Sequence, residues 1–132
     1  IKFYNDSKGT NVEAAIKSIE AMERPILLIA GGYDKKVSFT EFAKAINKKV
    51  KQLVLIGESS DKIIEECNKI GYTNIIKVNT LEEAVKTCYI KAENGDCILL
   101  SPACASWDMF KSYEERGNLF KEIVLNLRGV DL

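Results

Sequence analysis

Histidine is absent from this chain of 132 residues. That absence removes Ser-His-Asp catalysis, because no imidazole can activate a serine, and it removes imidazole metal ligation. An excess of charge of either sign is also missing, since 19 basic residues stand against 19 acidic ones. A nucleic-acid footprint would need a basic excess or patch, so no nucleic-acid partner is expected. The densest basic cluster, Lys48-Lys49-Val50-Lys51, sits between a helical pattern and a strand and reads as a solvated turn. No apolar run approaches the ~20 residues of a membrane span, and no secretory n-region and h-region are seen. Cysteine occurs four times, at Cys67, Cys88, Cys97 and Cys104, without a C-x-x-C pair, which excludes a zinc knuckle and a thioredoxin motif. Free, buried thiols in a reducing cytoplasm are expected. Internal repeats and low-complexity linkers are lacking too. A chain of this length is one domain, residues 1–132, with enough apolar residues for a single core. It opens on Ile1 in what reads as a strand and is taken as a domain excised from a longer protein.

What is present alternates strand and helix. Lys2–Tyr4 is a short strand, and Thr10 or Asn11 caps a helix through Met22. Pro25 ends that run, and Ile26–Ala30 is an uninterrupted apolar strand. Ser38 or Thr40 opens a helix carrying Phe39, Phe42, Ala43 and Ile46. Leu53–Ile56 is the next strand, stopped by Gly57, and Ser60 or Asp61 caps a helix to about Ile70, stopped by Gly71. Asn74–Val78 is a strand, and Thr80 with Glu83 forms a capping box for a helix to about Ala92. Asn94-Gly95-Asp96 turns into the strand Cys97–Leu100, and an amphipathic helix covers Tyr113 to about Leu127. Apolar strands without alternation are buried on both faces. The expected fold is therefore α/β, Rossmann-like and doubly wound: a mostly parallel sheet with helices on both faces.

Ligands of such sheets bind at the carboxyl ends of the strands. Four loops belong there: Asn5–Thr10, Gly31–Lys36, Gly57–Ser60 and Ser101–Ser106. In the first, a helix cap needs one polar residue, and the surplus of Asp6, Lys8 and Thr10 favours a binding loop, with Asp6 suited to a ribose hydroxyl and Lys8 to phosphate. The second pairs two glycines, which permit close backbone approach, with Lys35, a partner for a carboxylate. Asp34 is either the orienting partner of Lys35 or a turn residue. The G-x-x-x-x-G-K-[ST] spacing of a P-loop is missing. In the fourth, Ser106 reads as a hydrogen-bond donor to a bound carboxylate, and Cys104, with small neutral neighbours, as packing. Trp107, Phe110 and Tyr113, at spacing three, read first as a core stripe and second as a pocket wall.

Two of these segments, Asn5-Asp6-Ser7-Lys8-Gly9-Thr10-Asn11 and Leu100-Ser101-Pro102-Ala103-Cys104-Ala105-Ser106, resemble in order and spacing the C-terminal domain of the Mur ligases that add D-glutamate to the peptidoglycan precursor. The resemblance covers essentially the whole chain, to Arg128, and the Asp-Asn-Pro signature of the diaminopimelate- or lysine-adding relatives is absent. It implies an ATP-dependent, amide-forming ligase. In that chemistry ATP phosphorylates the alanyl carboxylate of UDP-N-acetylmuramoyl-L-alanine, and the amine of D-glutamate attacks the acyl phosphate. It also implies that Thr10, Lys35, Ser106 and Tyr113 bind D-glutamate, Tyr113 through its backbone amide, and that Asp6 and Lys8 face the nucleotide. No residue of this chain is expected to be catalytic or to bind metal. ATP and Mg2+ would be held mainly by a central domain and UDP by an N-terminal one. A cytoplasmic bacterial monomer is expected. Two other readings stand beside it: a standalone small-ligand or nucleotide-binding α/β module, and a receiver-like regulatory domain. The latter needs an acidic cluster that Asp6 and Asp34 supply poorly.

Overall fold

In a computed structural model of the chain, residues 1–131 are described, with side chains described through Leu127. The sequence folds into five strands and five helices in strict alternation: β1 Lys2–Asn5, α1 Val12–Ala21, β2 Ile26–Ala30, α2 Thr40–Lys49, β3 Val50–Leu55, α3 Ser60–Lys69, β4 Ile75–Lys77, α4 Leu81–Lys91, β5 Cys97–Leu100 and α5 Tyr113–Asp131. All pairings are parallel, in the order β1-β5-β2-β3-β4. The expected doubly wound α/β fold is the one observed.

Alternation along the strands makes two cores. In β2, Ile26, Leu28 and Ala30 face the layer of α1, α2 and α3, where Ile19, Phe42, Ile46 and Ile63 meet them. Leu27 and Ile29 face the opposite layer, with Val85 and Cys88 of α4 and Phe120 and Ile123 of α5. Each large aliphatic side chain buried this way contributes about 1.5–3 kcal/mol. This two-sided burial explains the unbroken apolar run of β2.

Helix ends follow local chemistry with some departures. The Asn11 side chain accepts from Ala14 N and caps α1, and the Thr80 side chain accepts from Glu83 N and caps α4. For α3 the cap position is Ser59, not Ser60 or Asp61, and its side chain does not cap the helix because Ser59 Oγ accepts from Gly32 N at 3.1 Å, while Ser60 Oγ donates to the Gly57 carbonyl. The Lys48–Lys51 cluster is not a turn. Lys48 and Lys49 end α2, and β3 starts directly at Val50, three residues before the expected start at Leu53. Lys49 Nζ donates to the carbonyls of Glu20 and Met22 at the end of α1, where a cation suits the helix dipole. Lys51 reaches Asp96 at 2.6 Å. The Trp107, Phe110 and Tyr113 stripe is not one core face. Residues 107–109 form a turn and 110–112 are not helical, Trp107 is 64% exposed and Tyr113 is exposed, and of the three Phe110 alone packs against the α4–α5 core.

The strand order places β5 between β1 and β2. The chain leaves β1 and β2 toward the α1–α3 layer but leaves β5 toward the α4–α5 layer. Loops that part in opposite directions open a crevice at the carboxyl ends of these strands, the topological switch point of an open α/β sheet.

Candidate functional site

Around this crevice the β1, β2, β3 and β5 loops interlock through their backbones. Asp6 N donates to the Leu100 carbonyl at 2.8 Å, Ala103 N to Gly9 O at 2.9 Å, and Gly31 N to Pro102 O at 3.0 Å. Tyr33 N donates to Ala105 O at 2.9 Å, forming an isolated antiparallel bridge. Two glycines make this nesting possible. At Gly32, φ is +146° and a Cβ would stand 2.6 Å from the Ala105 carbonyl oxygen. At Gly57, φ is +82° and a Cβ would meet Asp108 Oδ2 at 2.5 Å and Gly32 Cα at 2.8 Å. Ala103 holds φ +63° without being glycine, strain worth about 1–3 kcal/mol that the surrounding bonds sustain.

Thr10 and Lys35 come together. They line one cleft of about 120 Å³ with Tyr33, Val37, Phe39 and Cys104. Lys35 Nζ lies 5.5 Å from the Trp107 ring centroid, and Tyr33 lies 5.4 Å from the same ring. Exposed Trp107 is thus a flanking aromatic for the cationic residue of the cleft. Asp34 is not the orienting partner of Lys35. Its Oδ1 accepts from Lys36 N at 2.8 Å and pairs with Lys62 at 3.4 Å. The Lys36 backbone bond holds this carboxyl below its usual range, against partial desolvation and with help from Lys62.

Ser106 does not line the cleft, but it is 2% exposed and its Oγ has no hydrogen-bond partner among the described residues. Asp108 Oδ1 is likewise buried and unpartnered, while its Oδ2 accepts from Glu58 N at 2.9 Å. Such buried polar atoms are rare, because each carries a desolvation cost. Tyr113 is likewise absent from the cleft lining, and its side chain is exposed. As the first residue of α5 it contributes one of the N–H groups that have no partner inside a helix.

Asp6 organises its loop: Oδ2 accepts from Ser18 Oγ at 2.6 Å and from Ser101 Oγ at 2.7 Å. Gly9 must be small, because a Cβ there would stand 2.5 Å from that carboxylate oxygen. Lys8 is exposed on the same loop. Cys104 Sγ lies 3.2 Å from Ser59 Oγ in the core, and burial pushes its thiol up to about 11, which disfavours the thiolate. No group of three Cys, Asp or Glu among the described residues could hold a metal ion.

Reading the sequence missed Arg116. This guanidinium is 1% exposed and touches both outer loops of the crevice: Nε donates to Ser7 Oγ at 3.0 Å, Nη2 to the Ser7 carbonyl at 2.6 Å, and Nη1 to the Cys104 carbonyl at 3.1 Å. Desolvation lowers it to about 10. A signal existed, since Arg116 lies four and seven residues before Phe120 and Ile123, on the apolar stripe of its own helix.

Comparison with known proteins gives this geometry a family. A family model described as Mur ligase, glutamate ligase domain, matches residues 1–104. A UDP-N-acetylmuramoylalanine--D-glutamate ligase of Caldicellulosiruptor bescii is 58% identical over 127 residues, which are 96% of this chain and 28% of that protein. One from Thermoanaerobacter sp. (strain X514) is 58% identical over 130 residues, 97% of this chain and 29% of its own. The chain thus spans less than a third of the length of these relatives. Among solved structures, UDP-N-acetylmuramate-alanine ligase from Thermotoga maritima superposes on 88% of this chain and 25% of its own, with a TM-score of 0.58 at 15% identity, a likeness of fold alone. The chain belongs to the Mur ligase family, as its glutamate ligase domain.

Proposed function

We propose that this chain is the acceptor-binding part of an ATP-dependent ligase that joins D-glutamate to UDP-N-acetylmuramoyl-L-alanine in bacterial peptidoglycan synthesis. The observation that carries the reading is the convergence of Thr10 and Lys35 on one cleft at the switch point, in a chain 58% identical to ligases of that name. D-glutamate is a dicarboxylate with one amine. An ammonium, a hydroxyl and helix-start amides complement its carboxylates through charge-assisted hydrogen bonds. Lys35 takes one carboxylate, Thr10 and the Tyr113 N–H assist, and Ser106 donates its otherwise unpartnered hydroxyl. Held this way, the free amine is presented toward an activated alanyl carboxylate, a contribution of orientation more than of bond chemistry.

ATP supplies that activation as a co-substrate. On this chain, Lys8 and the Asp6 loop at the carboxyl end of β1 face it, with Lys8 offering a point charge to phosphate. In this reading Mg2+, most of the ATP contacts and the UDP-precursor are held by parts of the ligase outside this chain, which spans 28% of its 58%-identical relative. The ligase works as a monomer in the cytoplasm, where its nucleotide-linked substrate is found.

The test is steady-state kinetics of the ligase that carries this chain. Lys35→Ala is expected to raise KM for D-glutamate at least about tenfold, the loss of one charge-assisted bond, with KM for ATP nearly unchanged. A folded variant with unaltered KM for D-glutamate removes Lys35 from the site.

A further inference from the structure

The two loops of the proposed site belong to different ends of the chain, and one buried side chain joins them. Ser7 lies on the β1–α1 loop between Asp6 and Lys8, while Cys104 lies two residues before Ser106 on the β5–α5 loop. Arg116 holds both, with two donors on Ser7 and one on the Cys104 carbonyl. The grip extends further. Ser7 Oγ donates to the Tyr113 carbonyl at 2.7 Å, and Asn5 Nδ2 donates to the Gly117 carbonyl at 2.9 Å. A Cβ at Gly117 would stand 3.1 Å from the Ser7 side chain, a tight contact, so glycine eases the close approach of α5 to the loop. The first turn of α5 is therefore fastened to the loop that carries Asp6, Lys8 and Thr10.

Among the described residues no carboxylate is hydrogen-bonded to this guanidinium, and Asp108 acts on it only through its charge. Burying a cation against two carbonyls and a hydroxyl, with burial lowering its proton affinity, is an expensive way to stabilise a fold, and an apolar side chain of similar volume often serves stability as well. What the apolar side chain cannot supply is a planar fork whose donors reach separate loops in fixed geometry.

We propose that Arg116 is a positioning residue, a latch that sets the nucleotide-facing β1–α1 loop and the acceptor-facing β5–α5 loop in one register. It acts through Ser7 and the Cys104 carbonyl and does not itself touch a substrate. The inference rests on the functional reading above for what the two loops bind. The latch itself is mechanical and has its own readout.

The experiment uses the ligase carrying this chain, with variants Arg116→Met, Arg116→Lys, Ser7→Ala and the Arg116→Met/Ser7→Ala pair. Arg116→Met is expected to raise KM for D-glutamate and KM for ATP together, each about tenfold, whereas Lys35→Ala moves the first alone. Arg116→Lys keeps the charge but not the fork and is expected not to restore either value. The double variant is expected to be no worse than Arg116→Met, because both changes break one latch. Hydrogen exchange followed by mass spectrometry supplies the readout that a general packing role would not move. In Arg116→Met, peptides covering residues 5–10 and 101–107 are expected to exchange at least about tenfold faster, with β2 and β3 peptides unchanged. If Arg116→Met fails to fold, Ser7→Ala answers the same exchange question.

Unchanged KM values overturn the proposal. So do additive effects in the double variant, full recovery with Arg116→Lys, and exchange that rises uniformly over the sheet. A wild-type ligase that ignores D-glutamate would overturn the functional reading instead, and the exchange pattern would still decide whether Arg116 ties the two loops.

Discussion

Cys104 lies against the candidate cleft, yet its environment silences it. Burial raises its thiol to about 11, and the same desolvation raises Cys67 to about 11, Cys88 to about 12 and Cys97 above its ordinary value. A thiol becomes nucleophilic only as thiolate, so at pH 8 all four should resist a thiol reagent in the folded protein and react on denaturation. A timed titration with a chromogenic disulfide checks this, and rapid modification of Cys104 in the native state would contradict it. The small, neutral neighbours of Cys104 made its packing role legible in advance. Trp107 was not legible, because spacing three marks a face only when the backbone is helical, and residues 107–112 are not. Asp34 was half legible: the turn role was foreseen as an alternative, but its cation, Lys62, comes from α3, a partner that local sequence does not reveal. Arg116 escaped because its partners are a hydroxyl and two carbonyls on loops 109 and 12 residues away.

Among the elements, the β3 start shows why boundaries misled. Val50-Lys51-Gln52 is too polar to look like a buried strand, but each polar group is satisfied in place. Gln52 Nε2 donates to the carbonyls of Leu53 and Asn74, and Lys51 Nζ meets Asp96 Oδ2 at 2.6 Å. Asp96 in turn accepts from Glu93 N at 2.8 Å and so closes the α4–β5 turn against β3. Burial pushes the Asp96 carboxyl upward, but the Lys51 bond and the Glu93 amide outweigh it and hold the group below 3.8. A carboxylate depressed on folding stabilises the fold above its unfolded value, and that stability is lost as pH falls through the lower, folded value. Asp96→Asn keeps an acceptor for Glu93 N but loses the ion pair. It is expected to cost about 1–2 kcal/mol near pH 7, at the low end because Lys51 is partly exposed. Denaturant melts at pH 7 and pH 3 should show the gap between the two proteins narrowing in acid. A gap that widens would mean the carboxylate is not the stabilising form. The capped helices were easier to read. Thr80 with Glu83 and Asn11 with Ala14 use bonds that span three residues, and a local signal needs only local sequence.

For the whole molecule, the fold class was readable because burial on both faces leaves unbroken apolar strands, while the strand order was not, since nothing local says that β5 returns between β1 and β2. That return creates the switch point and gathers the loops of β1, β2 and β5, so the site depends on the least readable feature of the fold. The same topology bears on what the chain does alone. The α1–α3 core and the α4–α5 core share one sheet, so neither can melt without exposing the other, and isolated residues 1–132 are expected to fold and to unfold in one cooperative transition. Their sequence has no P-loop spacing, and the proposed reading puts ATP activation elsewhere in the ligase, so the isolated chain is expected not to release phosphate from ATP. Free D-glutamate, a small ligand with few atoms to bind, should associate only weakly, with Kd above about 1 mM. Calorimetric titration of the purified chain with D-glutamate, followed by a phosphate-release assay with ATP and UDP-N-acetylmuramoyl-L-alanine, measures both. Sustained D-glutamate-dependent phosphate release would show that these 132 residues carry a complete active site, and the division of labour between an acceptor-holding domain and an ATP-activating remainder would fall.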